Sequence, residues 1–240
     1  MKIYVINLAK NQERMAKMDV QLKSLHVNYE RYEAVFGKNI PENEIKSLYN
    51  PFAWWCTQGY PIRRGQLGCA LSHLNLYRKF LASDELCCCI MEDDLAIDSK
   101  LLHVLEYIEG IIGTWKPRAV LLHKHFSGAQ PIGDQVQVVK IAYERCSDAY
   151  VINRRGAEVL LSVNFPIKRP CDHWSAFARK GKLELFQAFP TTCSQVWDAD
   201  YKSDVYVGEC VDVTKMGSLD VIIWKCKRIV GKLLSFVCGL

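Results

Sequence analysis

Three consecutive acids, Glu92, Asp93 and Asp94, close a run of apolar residues, Leu86, Cys87, Cys88, Cys89, Ile90 and Met91. Carboxylates packed this closely repel one another unless a cation lies among them. Hard oxygen donors in a site shared with phosphate suit magnesium or manganese. The plain alternative is a solvated acidic turn. The apolar run ahead of the acids reads as a strand buried on both faces, as in a parallel sheet. That puts the acids at the carboxyl end of a strand, where open α/β sheets bind their ligands. In extended chain Glu92 and Asp94 point to one side and Asp93 to the other.

The elements that must position these acids can be read around them. Residues 2–8 form a first strand through Ile3, Tyr4, Val5 and Ile6. Asn11 caps the helix that follows, with Arg14 in its first turn and Met15, Met18, Leu22 and Leu25 as its buried stripe. Residues 29–35 give a second strand and complete a βαβ unit. Residues 39–64 carry Pro41, Pro51, Gly59, Pro61 and five aromatics, and read as a long loop. It either faces a ligand with its rings or covers a satellite hydrophobic cluster. A helix then starts near Gly68, with Ser72 and His73 in its early turns. Gly65 and Gly68 before that helix would let a diphosphate approach backbone N–H groups. Downstream, a helix over 101–112, strands near 119–123, 136–142, 149–152 and 184–188, and a helix from Arg155-Gly156 complete an α/β pattern. A loop over 166–174 carries Pro170, Cys171 and Asp172.

At 240 residues, with half of them hydrophobic and a net charge of +5, the chain is expected to be one large domain, or one domain with a small appendage, and has no basic stripe for nucleic acid. Its 11 cysteines include no C-x-x-C pair, which argues against a structural zinc site. Three of them sit consecutively in the buried strand, where they serve as small core residues. The start of the chain has no secretory pattern, so a reducing cytosolic compartment is expected. Residues 219–240 differ from the 1–218 core. They are apolar, carry Lys225, Lys227, Arg228 and Lys232, and have no acid after Asp220. The bases interrupt the apolar runs too often for a spanning helix. A basic amphipathic helix on an anionic membrane fits the pattern, and a helix docked on the core is the alternative.

Four motifs occur in order: Ile6-Asn7-Leu8 with Arg14; Gly65-x-x-Gly68-Cys69-x-x-Ser72-His73; Glu92-Asp93-Asp94; and Ala149-Tyr150-x-Ile152 with Gly156-Ala157 and Leu160. Together they resemble glycosyltransferase family 25, the lipooligosaccharide galactosyltransferases of Gram-negative bacteria, over roughly residues 1 to 205. The resemblance implies a GT-A-like mixed sheet flanked by helices, a UDP-sugar donor, a divalent metal (Mn2+ or Mg2+) and inversion at the anomeric carbon. A basic tail on the inner face of the cytoplasmic membrane would put a lipid-linked oligosaccharide acceptor within reach, and the family makes galactose the first donor sugar to test. Glucose or N-acetylhexosamine transfer, or a non-catalytic sugar-binding protein of the same fold, are the alternatives. The usual metal motif of such enzymes is D-x-D. Here Glu92 takes the first place, so Asp94 is assigned to the metal, with Glu92 reaching the metal, a bound water or the ribose. Asn7, Leu8, Arg14, Ser72, His73 and Asp93 are assigned to the donor.

An inverting transfer needs a general base for the acceptor hydroxyl. Asp172 is assigned that role, against a plain helix-capping role for it. Asp198, Asp200, Asp204 and Glu209 are its competitors. His123 and His125 are candidates for a third metal ligand.

Overall fold

The computed structural model describes residues 1–123, 135–196, 204–205 and 210–211. The chain runs β1 (Lys2–Asn7), α1 (Gln12–Ser24), β2 (Glu30–Glu33), α2 (Glu42–Leu48), α3 (Pro51–Gln58), α4 (Arg64–Leu81), β3 (Cys87–Glu92) and β4 (Leu95–Ile97). It continues through α5 (Leu101–Ile111), β5 (Arg118–Leu121), β6 (Gln137–Ile141), β7 (Ala149–Asn153), α6 (Arg154–Asn164), α7 (Trp174–Ala178), β8 (Glu184–Phe189) and β9 (Cys193–Gln195).

Among the described residues seven strands form one mixed sheet in the order β2-β1-β3-β7-β5-β8-β6, and β4 pairs with β9 in a small second sheet. β1 is parallel to both β2 and β3, and β7 runs antiparallel to β3 and β5. The register sets Ile6 beside Glu92. The parallel strands β1 and β3 therefore end together, and the turn after β1 lies next to the three acids.

Both faces of the central strands are covered, which explains their uninterrupted apolar sequence. The three cysteines of β3 alternate between the faces. Cys88 and Ile90 join Tyr4, Tyr150 and the buried stripe of α4 on one side. Cys87, Cys89 and Met91 join Met18 and Leu22 of α1 and Val104, Leu105 and Ile108 of α5 on the other. Five helical residues of α4, Leu67, Leu71, Leu74, Leu76 and Phe80, are buried there at 0–4% exposure. Together with His73 they make α4 the element that carries the core up to the site.

The stretch over 39–64 is not a loop. It folds into α2 and α3, with Asn50 accepting a hydrogen bond from the Ala53 amide at 2.8 Å, Pro51 in the first turn and Gly59 ending α3 at φ 77°. Trp54 is fully buried and Tyr49 nearly so, both in the core on the α4 side. Those two rings cover the hydrophobic interior rather than a ligand. α4 also starts four residues earlier than the glycine pattern indicated, at Arg64, and the Gln66 side chain accepts from the Arg63 amide at 3.0 Å. His125, Asp198, Asp200, Glu209 and the whole of 219–240 lie outside the described residues. No helix among the described residues is long and apolar enough to cross a membrane.

Candidate active site

At the common end of β1 and β3 lies a cavity of about 740 Å³, counting its open mouth. That is within the usual size for a small-molecule site. Glu92, Asp93 and Asp94 all line it. The expected alternation, which put Asp93 on the opposite side, fails because β3 stops at Glu92 and the chain bends at Asp93 and Asp94 before β4 begins. Ile6 and Leu8 line the same cavity, together with Arg14 and the loop Val35-Phe36-Gly37. Gly65, Cys69, Ser72 and His73 come from α4, and Gln195 and Asp204 from late in the chain.

The three acids differ in their surroundings. Asp93 is 8% exposed and already engaged. Its Oδ2 accepts from Asn7 Nδ2 at 2.6 Å, and Arg14 Nη1 stands 3.4 Å from Oδ1. Burial raises its pKa despite both partners. Asp94 is different: Oδ2 accepts from Gln195 Nε2 at 3.0 Å, whereas Oδ1 is buried and has no partner among the described residues. Burial, then the neighbouring Glu92 charge, push the Asp94 carboxyl up to about 7. A half-satisfied buried carboxylate facing a second acid is what a bound cation would complete. The residues present therefore fit a hard divalent ion, held by Asp94 with Glu92 beside it.

The assigned donor residues divide by placement. Leu8, Arg14, Ser72 and His73 reach the cavity wall. Asn7 does not: it is 2% exposed and spans from Asp93 to the Asn11 carbonyl and to Arg31, whose Nε donates to Asn7 Oδ1 at 2.9 Å. Ser72 is occupied by backbone, accepting from the Val35 amide at 2.8 Å and donating to the Gly68 carbonyl at 2.7 Å. Gly65 and Gly68 allow close backbone approach. A Cβ on Gly68 would stand 2.5 Å from the Val35 carbonyl oxygen, and one on Gly65 would stand 2.2 Å from that of Asp204. These glycines seat α4 against the cavity loops, and Gly65 still presents the first turn of the helix to the cavity.

Below the cavity His73 anchors a buried polar chain. Its Nδ1 lies 2.8 Å from the Tyr150 hydroxyl, which lies 2.7 Å from that of Tyr77. The His73 Nε2 side faces Glu92 Oε1 at 3.5 Å. Burial works against charging this ring, but Cys171 and Glu92 outweigh it and lift its pKa to about 10.

Asp172 is not among the residues lining the cavity. It follows Cys171, which comes within 3.6 Å of Cys69 on α4 and 3.3 Å of the Ser147 hydroxyl. Burial, with Cys171 and Glu92 nearby, raises the Asp172 carboxyl to about 6. Asp204 does face the cavity, but it is tied to Asn11, whose Nδ2 donates at 2.9 Å, and to Lys10. Burial opposes its charge; the Asn11 and Lys10 contacts prevail and hold it below the usual carboxylate range. Asn11 thus spends its side chain on Asp204 rather than on capping α1. His123 is fully buried and pairs with Asp148 at 2.9 Å, away from the cavity lining.

Gln195 and the Cys69–Cys171 approach carried no signal in the sequence. Gln195 arrives through the pairing of Leu95 with Gln195 in the small sheet, and Cys171 through a loop 102 residues beyond Cys69.

The description of glycosyltransferase family 25 (LPS biosynthesis protein) matches residues 1–175. Procollagen galactosyltransferase 1-A of Xenopus laevis is 25% identical over 185 residues, covering 70% of this chain and 29% of that protein. Procollagen galactosyltransferase 2 of Homo sapiens is 24% identical over 213 residues, 79% of this chain and 34% of that protein. The inactive glycosyltransferase 25 family member 3 of Mus musculus is 22% identical over 236 residues, 85% of this chain and 38% of that protein. The chain thus spans only about a third of the length of these curated relatives. Since the family match covers β1 through the loop that carries Asp172, and with it the three acids and the cavity face of α4, the chain belongs to glycosyltransferase family 25.

Proposed function

We propose that the chain is a glycosyltransferase that moves a hexose, galactose in the first instance, from a UDP-sugar to an acceptor hydroxyl with inversion. The observation that carries the reading is the buried Oδ1 of Asp94, unpartnered among the described residues, in a carboxylate that lines, with Glu92, the cavity at the ends of β1 and β3. A manganese or magnesium ion held by Asp94 and Glu92 would neutralise charge on the leaving diphosphate. Arg14 of α1 and the first turn of α4 both add positive potential to the cavity wall. Ile6, Leu8, Val35 and Phe36 offer an apolar wall for the nucleoside. Asp93 holds Asn7 and Arg14 in place and so fixes the turn after β1 against the acids.

For the proton of the acceptor hydroxyl, Asp172 is better suited than Asp204. A general base works best with a pKa near the working pH. Asp172 sits at about 6, whereas Asp204 is held low by its Asn11 and Lys10 partners. Galactose as the donor sugar rests on the printed names of the relatives. A lipid-linked lipooligosaccharide acceptor rests on the family's description and on the basic, apolar composition of 219–240, which would lie flat on an anionic inner-leaflet surface. The name of the inactive relative keeps a non-catalytic sugar-binding role as the second reading; the three retained acids favour the enzyme.

The test is a donor screen by UDP release. UDP-galactose, UDP-glucose and UDP-N-acetylhexosamines are offered with manganese, with lipooligosaccharide and small glycoside acceptors. Acceptor-dependent UDP release from UDP-galactose above the others is the expected outcome. Release from none of them, by a folded chain, would support the non-catalytic reading.

A further inference from the structure

Beside the cavity lies a second set of donors that the transfer chemistry above does not use. Cys69 and His73 are four residues apart on α4 and therefore share one face of the helix. Cys171 reaches them from the loop before α7. One ligand atom from each of the three lies within 4.8 Å of the other two. The two sulfurs are 3.6 Å apart and both thiols are free. Tetrahedral zinc with bonds of about 2.3 Å to sulfur sets two thiolates roughly 3.8 Å apart, so the pair is already near the spacing such an ion requires.

The surroundings also fit a metal-binding histidine. His73 is 1% exposed, and its Nδ1 is committed to the Tyr150 hydroxyl. This leaves the opposite ring nitrogen facing Glu92, as in histidine ligands oriented by an outer partner. Ser147 contacts both Cys171 and Glu92, at 3.3 and 3.2 Å, and ties the carboxylate to the same cluster. Glu92 is thus placed to give a fourth, oxygen donor.

We propose that Cys69, His73 and Cys171 form a binding site for zinc or a similarly thiophilic divalent cation, with Glu92 closing its coordination. The site is distinct from the oxygen site at Asp94. Sulfur and imidazole donors select zinc, whereas carboxylate oxygens select magnesium or manganese, so two cation sites of opposite preference meet at Glu92. Cation binding here does not depend on the glycosyltransferase reading. Its consequence does: zinc that engages Glu92 withdraws it from the donor, and zinc inhibits manganese-supported transfer.

The experiment titrates the reduced, metal-free full chain with cobalt(II) and then displaces the cobalt with zinc. The expected result is one equivalent of cobalt showing a thiolate-to-metal charge-transfer band and tetrahedral ligand-field bands, both lost as zinc binds. Cys69→Ser and Cys171→Val each weaken zinc at least about 100-fold, exceeding the loss typical of outer-shell changes. Cys56→Ser, at an exposed position, and Asp94→Asn leave the spectrum intact. Absence of the charge-transfer band in the folded wild-type chain would overturn the proposal without any reliance on a variant. So would equal zinc binding by the Cys69→Ser and Cys171→Val chains, or loss of the band in Asp94→Asn. If the band is absent while manganese still promotes UDP binding, the zinc site falls and the donor-site reading stands.

Discussion

Gln195 donates to Asp94 Oδ2 at 3.0 Å, leaving Oδ1 of the same carboxylate buried with no partner among the described residues. The contact depends on β9 pairing with β4, since Gln195 is the register partner of Leu95. One oxygen is fixed by the protein and the other is left without a partner among the described residues, in a residue that lines the cavity. The arrangement orients a ligand without satisfying it, at the cost of desolvating a charged group.

That cost makes the stability of the metal-free chain depend on pH. The folded Asp94 carboxyl titrates at about 7 against an ordinary value of 3.8, so the folded state binds this proton more tightly than the unfolded state. The stabilising contribution is complete below the ordinary value and is lost as pH rises through about 7. Denaturant unfolding of the metal-free protein is expected to show Asp94→Asn more stable than wild type at about pH 8, by on the order of 1–3 kcal/mol, with little difference near pH 4. Glu92, Asp93, Arg14 and Gln195 face position 94 in both chains, so the difference reports the Asp94 carboxyl together with its coupling to those groups. Manganese should stabilise the wild type at pH 8 and leave Asp94→Asn unchanged.

Asn7 is expected to matter through Asp93 rather than through a ligand. Asn7→Ala removes the donor at 2.6 Å from a buried carboxylate and the acceptor for Arg31. A loss of about 1–3 kcal/mol in unfolding free energy follows from leaving buried partners unsatisfied. Asn7→Asp should be worse than Asn7→Ala, because it sets a second carboxylate against Asp93. Equal melting temperatures for Asn7→Asp and wild type would remove this role.

Asp172→Asn should lower kcat by about 10²- to 10⁴-fold while the donor KM changes little, since the base acts on the acceptor. With saturating manganese, wild-type kcat/KM for the acceptor should rise with pH through about 6, following the Asp172 carboxyl, and the variant's residual rate should lose that limb. A wild-type pH profile in Asp172→Asn would move the base elsewhere.

Much of the framework was legible because it rests on periodicity. The apolar run into Glu92 announced a strand buried on both faces, and β1, α1, α5, β7 and β8 fall close to where residue patterns placed them. The misreading over 39–64 has a specific cause. Asn50-Pro51 and Gly59 are start and stop signals for a helix as well as loop residues, and they bound α3 as its cap, first turn and end. The three acids were visible, but not their common orientation, because the bend after Glu92 has no periodic signature. Gln195 and the approach of Cys171 to Cys69 were invisible, and Asp204 was visible only as one of several late acids, for a topological reason. Each is brought to its partner by pairing or packing across more than a hundred positions, Gln195 to Asp94, Cys171 to Cys69 and Asp204 to Asn11.

The measurement that bears most directly on the central claim is UDP binding by calorimetry with and without manganese, for the wild-type chain and for Asp94→Asn. Metal coordination at Asp94 predicts that manganese tightens UDP binding to the wild type by roughly 10²-fold or more, the scale of several kcal/mol of charge stabilisation. In Asp94→Asn that enhancement should vanish while the chain stays folded. An Asp94→Asn chain that binds UDP with the full manganese enhancement of the wild type would contradict the account.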